Sequence, residues 1–227
     1  MADMLLAKQK KTSLLFWLLA IADMVGIAAN IDMLHTIVKP LLIPVLMLLL
    51  YSTSSPFAPK KILLTGLFFS WLGDVFLLFE NRNSLFFIFG LICFLTTHIF
   101  YIIYFLRIRS NAGSLLKKRP ILFAFVVLYG FTLVWQLFPH LGDLQLPVIV
   151  YAAVICTMLL CSLHIFYKVN YLAAVYFVSG AAFFVLSDTL LAINKFYQPF
   201  GFAGVLIMLT YCAAQYFIVK GYLNQTG

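Results

Sequence analysis

Long apolar runs broken by short polar stretches set the pattern of this chain. A membrane-spanning helix needs about 20 mostly apolar residues. Eight stretches meet or approach that requirement, at 13–30, 37–53, 62–80, 84–107, 120–138, 146–167, 171–194 and 200–221. The second is short, opens at Lys39-Pro40 and carries Pro44. Proline fits easily at a helix start, and Pro44 is expected to bend the span. Every connection is short, and the longest, Arg109 to Arg119, reads as a basic loop. With no soluble domain between the runs, any chemistry falls to the helices and their short connections.

Composition supports this pattern. Of the 227 residues, 64% are hydrophobic and 10% are charged, and the mean hydropathy is +1.06. A soluble domain carries about 25% charge. So few polar groups could not cover a water-exposed globule. The expected fold is therefore an all-α integral membrane protein, a single transmembrane domain over residues 1–227 with eight spans. In a soluble protein the net charge of +8 would suggest nucleic acid. Here it reads as basic residues held at one membrane face, and no nucleic-acid partner is expected.

The basic residues set an orientation. Lys8, Lys10, Lys11, Lys60, Lys61, Arg107, Arg109, Lys117, Lys118, Arg119, Lys168 and Lys220 fall on one side of an eight-helix path. Only Lys39, Arg82 and Lys195 fall on the other. The positive-inside rule then places both termini in the cytoplasm. The opening MADMLLAKQKK, followed by an apolar run from Leu14, reads as an uncleaved first helix rather than a removed signal. Cys93, Cys156, Cys161 and Cys212 lie in apolar runs without a CxxC or a paired histidine. They read as buried free thiols, and no metal site is expected.

Two carboxylates interrupt the apolar pattern. Asp74 lies in FFSWLGDVFLLF and Asp188 in FFVLSDTLLAI. A central aspartate costs a membrane helix about 2.5–3.5 kcal/mol on insertion scales. Such a residue usually faces a bundle interior or a wet cavity. A shift of 114 residues superposes Asp74 on Asp188, Phe86 on Phe200, Gly90 on Gly204 and Leu95-Thr96 on Leu209-Thr210. If this offset marks a repeat, helices 1–4 and 5–8 are parallel four-helix repeats about a central cavity, with the carboxylates facing across it. Asp23, nearer the outer end of the first helix, is a weaker candidate.

Other polar groups cluster on the fourth and eighth helices. His98 and Tyr101 are three residues apart, and Tyr211 and Gln215 four apart, so each pair shares a helix face. Lys39 stands at the outer start of the second helix, level with the carboxylates. It either pairs with an aspartate, binds a lipid phosphate or snorkels to the interface. Ser70 and Ser187 read as packing residues rather than nucleophiles. No GxSxG, HExxH or P-loop is present, which argues against those hydrolases.

Two carboxylates in an apolar cavity suit general acid–base work. Burial and a neighbouring carboxylate both favour the neutral acid. One member of such a pair then donates a proton while the other accepts. The same groups also suit a proton-coupled or lipid transporter, or plain helix–helix adhesion, and the residues alone leave these readings open.

The ordered motifs do more. They are K-P-x-x-x-P (Lys39, Pro40, Pro44), L-G-D-V-F-L-L (Leu72 to Leu78), T-H-I-F-Y (Thr97 to Tyr101), L-S-D-T-L-L-A-I-N-K-F (Leu186 to Phe196) and T-Y-C-A-A-Q (Thr210 to Gln215). The set resembles the lysoplasmalogenase family, the YhhN-like membrane proteins and their animal relatives, over nearly the whole chain. That resemblance implies a bacterial inner-membrane enzyme that hydrolyses the vinyl ether bond of lysoplasmalogens. The products are a fatty aldehyde and glycerophosphoethanolamine or glycerophosphocholine. It implies Asp74 and Asp188 as acid and base, and a lysophospholipid that enters sideways among membrane lipids. Lys39 and Arg82 would hold its phosphate, and His98, Tyr101, Tyr211 and Gln215 would line the substrate site. Neither a metal nor another cofactor is implied.

Overall fold

The computed structural model describes residues 2–51, 60–108 and 110–225, with side chains from residue 7 onward. Arg109 and the 52–53 end of the second expected helix lie outside these residues. The described chain is α1 (Ala2–Ala28), α2 (Asp32–Tyr51), α3 (Lys60–Leu77), α4 (Ser84–Arg107), α5 (Leu115–Lys118), α6 (Ile121–Leu137), α7 (Gln145–His164), α8 (Tyr171–Ala192) and α9 (Ala203–Gln225). No strand occurs among the described residues. Seven of these helices are long and apolar enough to cross a membrane. The eighth long one, α3, has 18 residues and carries Lys60, Lys61 and Asp74. The protein is an all-α integral membrane protein.

The eight long helices stand where the apolar runs place them, with instructive differences. α1 begins at Ala2 rather than residue 13, because Ala, Leu, Met, Lys and Gln are good helix formers whatever their polarity. The basic loop after α4 contains α5, whose first turn is capped by Ser114 Oγ accepting from Leu116 N at 3.2 Å. α8 runs on through a π-turn at Ile193–Tyr197. The 114-residue offset carries Asp32–Tyr51 onto 146–165, beside the observed Gln145–His164.

The largest difference is in α2. It begins at Asp32, an acid in the first turn that suits the helix dipole. Lys39-Pro40 therefore sits inside the helix, not at its start. Proline inside a helix withholds an N–H from the carbonyl four residues back. Pro44 thus leaves Pro40 O without its helical donor. Trp71 on α3 supplies one, with Nε1–H donating to Pro40 O at 2.9 Å. In a bilayer an unmet carbonyl has no water to turn to. Trp71→Phe keeps an aromatic ring, smaller than the indole, and removes the donor. It should destabilise the protein by about 1–3 kcal/mol, read as a lower melting temperature in detergent.

The chain divides into two compact units, one running to Phe100 and the other from Tyr101 to Gln225. In the first, α1 packs on α2 and α2 on α3. α3 meets α4 closely: a Cβ at Gly73 would lie 2.8 Å from the Phe94 ring, and Thr97 Oγ1 donates to Gly66 O at 3.1 Å. In the second unit α8 packs along α9, α7 on α8 and α6 on α7. Gly180 sets the α8–α9 approach, since a Cβ there would stand 2.9 Å from Ile218 N and 3.0 Å from Ala214 O. Small residues let membrane helices approach this closely, where apolar burial supplies no driving force. α6 turns Phe123, Phe125, Leu128, Phe131 and Trp135 outward, the surface expected against lipid.

Candidate active site

Asp188 sits in α8, one turn before the helix gives way to the π-turn. Its Oδ2 accepts a hydrogen bond from Tyr151 OH on α7 at 2.6 Å. An O–H to a carboxylate at this distance is a strong, charge-assisted bond. Both residues line a cavity of about 50 Å³ between α6, α7 and α8. That is room for a few water-sized groups. Val134, Leu137, Val148 and Ile155 make much of the rest of its wall. Tyr129 and Thr189 line it as well. Thr189 Oγ1 donates to Val185 O at 2.7 Å, so its only proton is committed. Tyr129 OH, 2.6 Å from Thr189 Oγ1, is therefore the donor of that pair. Gly130 keeps α6 close, since a Cβ there would meet Cys156 Sγ at 2.8 Å. Asp188, Tyr151 and Thr189 are all half-buried, and Tyr151 holds one oxygen of the carboxylate on the cavity wall.

The other expected residues of this unit form a neighbouring cluster. Tyr101 OH donates to Gln215 Oε1 at 2.6 Å, and both are fully buried. The Tyr101 and Tyr211 rings each meet Phe184 edge-on, at 6.4 and 5.7 Å between centroids. Phe184 precedes Asp188 by one turn of α8, so this polar cluster lies a turn deeper along the same helix. Ser187 Oγ donates to Ile207 O at 3.1 Å, tying α8 to α9.

In the first unit Asp74 is 2% exposed. It follows Gly73 at the close α3–α4 crossing. α3 ends at Leu77 rather than residue 80, so Asp74 stands about 4.5 Å from its helix end instead of about 9 Å. Lys39 is corrected the other way. It lies seven residues into α2, about 10 Å from the helix start, and is only 8% exposed. The Trp71–Pro40 bond relates these heights: Lys39 precedes Pro40 by one residue on α2, and Asp74 follows Trp71 by one turn on α3. Their heights along the helices therefore differ by about a turn or less. His98 is fully buried in α4. Arg82 is exposed beyond α3, with its guanidinium 5.0 Å from the Phe79 ring centre, a cation–π contact. No group of three metal-ligating side chains occurs among the described residues.

Tyr151, Tyr129 and Thr189 do not stand out in the sequence. The one available signal was that a carboxylate in an apolar span needs donors, and the tyrosines of the fifth and sixth long runs are the groups able to supply them.

Comparison with known proteins agrees with the motifs. The chain is 34% identical over 157 residues to the human protein named lysoplasmalogenase TMEM86A, covering 66% of this chain and 60% of that one. It is 31% identical over 142 residues to a protein of Mycobacterium tuberculosis named lysoplasmalogenase, covering 60% of this chain and 51% of that one. The chain thus spans less than two thirds of these relatives' length. No solved structure matches it. Residues 34–222 match the YhhN family, all but α1 and the two ends. The chain belongs to the YhhN family.

Proposed function

We propose that the protein hydrolyses the vinyl ether bond of lysoplasmalogens, with Asp74 and Asp188 as its acid and base. Its relatives' name, lysoplasmalogenase, supports the substrate class. The observation that carries the chemistry is Asp188 on the wall of an apolar cavity, with Tyr151 donating to Oδ2. The Tyr151 bond fixes the Asp188 carboxylate on the wall of a cavity with room for water. Asp188 therefore takes the part of base and Asp74 that of acid. The acid gives a proton to the outer carbon of the C=C–O unit, leaving an oxocarbenium ion. The base takes a proton from water as its oxygen bonds to the cation carbon. The hemiacetal then collapses to the aldehyde and the glycerol hydroxyl. The proton gained by Asp188 restores the one lost by Asp74, so the cycle closes without a net change in the enzyme. The exposed apolar face of α6 beside the cavity suits lateral entry of a single-chain lipid, with Lys39 and Arg82 as phosphate contacts. His98, Tyr101, Tyr211 and Gln215 line the substrate path in this reading.

The membrane is the bacterial inner membrane in this proposal, with both termini cytoplasmic, as the distribution of lysine and arginine favours. The test of function is release of free aldehyde from a lysoplasmalogen by purified protein in detergent. Tyr151→Phe removes the bond to Asp188 while keeping the ring. Loss of one hydrogen bond to a charged group should lower kcat by about 10- to 100-fold, with the fold intact by melting temperature. Unchanged kcat in that variant would rule out the role given to Tyr151.

A further inference from the structure

Asp23 and His35 take no part in the chemistry above. Asp23 lies on α1, outside the stretch that matches the family. It is 0% exposed, and its Oδ1 lies 2.9 Å from His35 Nδ1 on α2. Its other oxygen is buried with no hydrogen-bond partner among the described residues. His35 thus carries the hydrogen bonding of this carboxylate. Two features bring them together. Asn30, at φ 55, turns the chain between α1 and α2. Gly26 lets the hairpin close, since a Cβ there would stand 3.2 Å from His35 N.

The imidazole keeps 26% of its side-chain surface exposed. With Nδ1 on the carboxylate, Nε2 is the nitrogen left for another partner. Lys39 follows four residues later, so both side chains lie on one face of α2. A histidine clasped by a buried carboxylate, one turn from a nearly buried lysine, is an arrangement for an anion. An imidazolium donates from both ring nitrogens, which at this position means to the Asp23 carboxylate at Nδ1 and to a phosphodiester at Nε2.

The geometry points to His35 as a phosphate-binding residue that shares the lipid head group with Lys39, positioned for this by Asp23. The assignment rests on the reading of the substrate as a lysophospholipid. It goes beyond that reading by naming a second cation and the carboxylate that orients it.

The test compares two substrates, 1-alkenyl-glycerophosphoethanolamine and 1-alkenylglycerol, which lacks the phosphate. In His35→Gln the ratio of KM for the phosphorylated lipid to KM for the alkenylglycerol should rise about tenfold or more, the worth of one hydrogen bond to a charged group. His35→Arg keeps a cation and should return the ratio toward wild type. Asp23→Asn keeps an acceptor for the ring and so spares the α1–α2 clasp. It should shift the ratio in the same direction as His35→Gln. A ratio unchanged in both Gln and Asn variants would overturn the proposal, as would equal weakening of both substrates. Binding separates this from failure of the hydrolase reading. If wild type releases no aldehyde, tryptophan quenching by lysophosphatidylethanolamine against monoacylglycerol reads the same ratio as a ratio of Kd. Preference for the phosphorylated lipid that falls in His35→Gln sustains the site, and equal binding of both lipids sinks it.

Discussion

Asp188→Asn should lower kcat for lysoplasmalogen hydrolysis by about 100-fold or more, the usual worth of a general base. Asparagine is nearly isosteric, and its Oδ1 can still accept the Tyr151 O–H. The cavity wall and the α7–α8 contact therefore survive, while the group that takes a proton from water is gone. KM should change little, because the proposed phosphate contacts are other residues, Lys39 and Arg82. A variant with wild-type kcat would show that Asp188 only joins helices. A lower melting temperature with unchanged kcat would say the same.

Asp74→Asn should cost about as much in kcat, again about 100-fold or more, for the opposite reason. The amide cannot release a proton to the enol-ether carbon. Stability separates this role from a structural one. Asp74 is 2% exposed beside the close Gly73–Phe94 contact, and a neutral amide matches the protonated acid of this proposal in size and charge. Asp74→Asn should therefore melt no lower than wild type, and removal of a purely structural carboxylate should melt lower. An inactive variant of undiminished stability is the signature of a group retained for chemistry rather than for the fold.

The bilayer makes much of this fold legible in one dimension. Backbone groups in lipid must pair within their own helix, so a run of about 20 apolar residues admits little besides a span. Asp74 and Asp188 were legible for the same reason, as charges where the solvent is hydrocarbon. What the sequence hid depends on partners distant along the chain. Lys39-Pro40 looks like a helix start because proline is usually excluded from helix interiors. Trp71, which supplies the donor that Pro44 withholds from the Pro40 carbonyl, lies 31 residues from Pro40. Tyr151 is invisible because tyrosine is at home in an apolar run, and its role exists only through Asp188, 37 residues on. Asp23 was a weaker candidate on its own. Its partner His35 is brought to it only by the Asn30 turn and the Gly26 contact. The short α5 escaped because four residues and a serine cap carry no periodicity.

Hydrolysis in D2O enriched in ¹⁸O tests the central claim most directly, with the products trapped as they form and weighed by mass spectrometry. Protonation at carbon followed by water addition predicts one deuterium on the carbon next to the aldehyde carbon, and a glycerophosphoethanolamine whose released hydroxyl keeps its original oxygen. Solvent ¹⁸O in that hydroxyl, or an aldehyde without the deuterium, would contradict carbon protonation. No aldehyde from purified protein, with lysoplasmalogen instead moved between the two sides of a vesicle, would make this chain a carrier rather than a hydrolase.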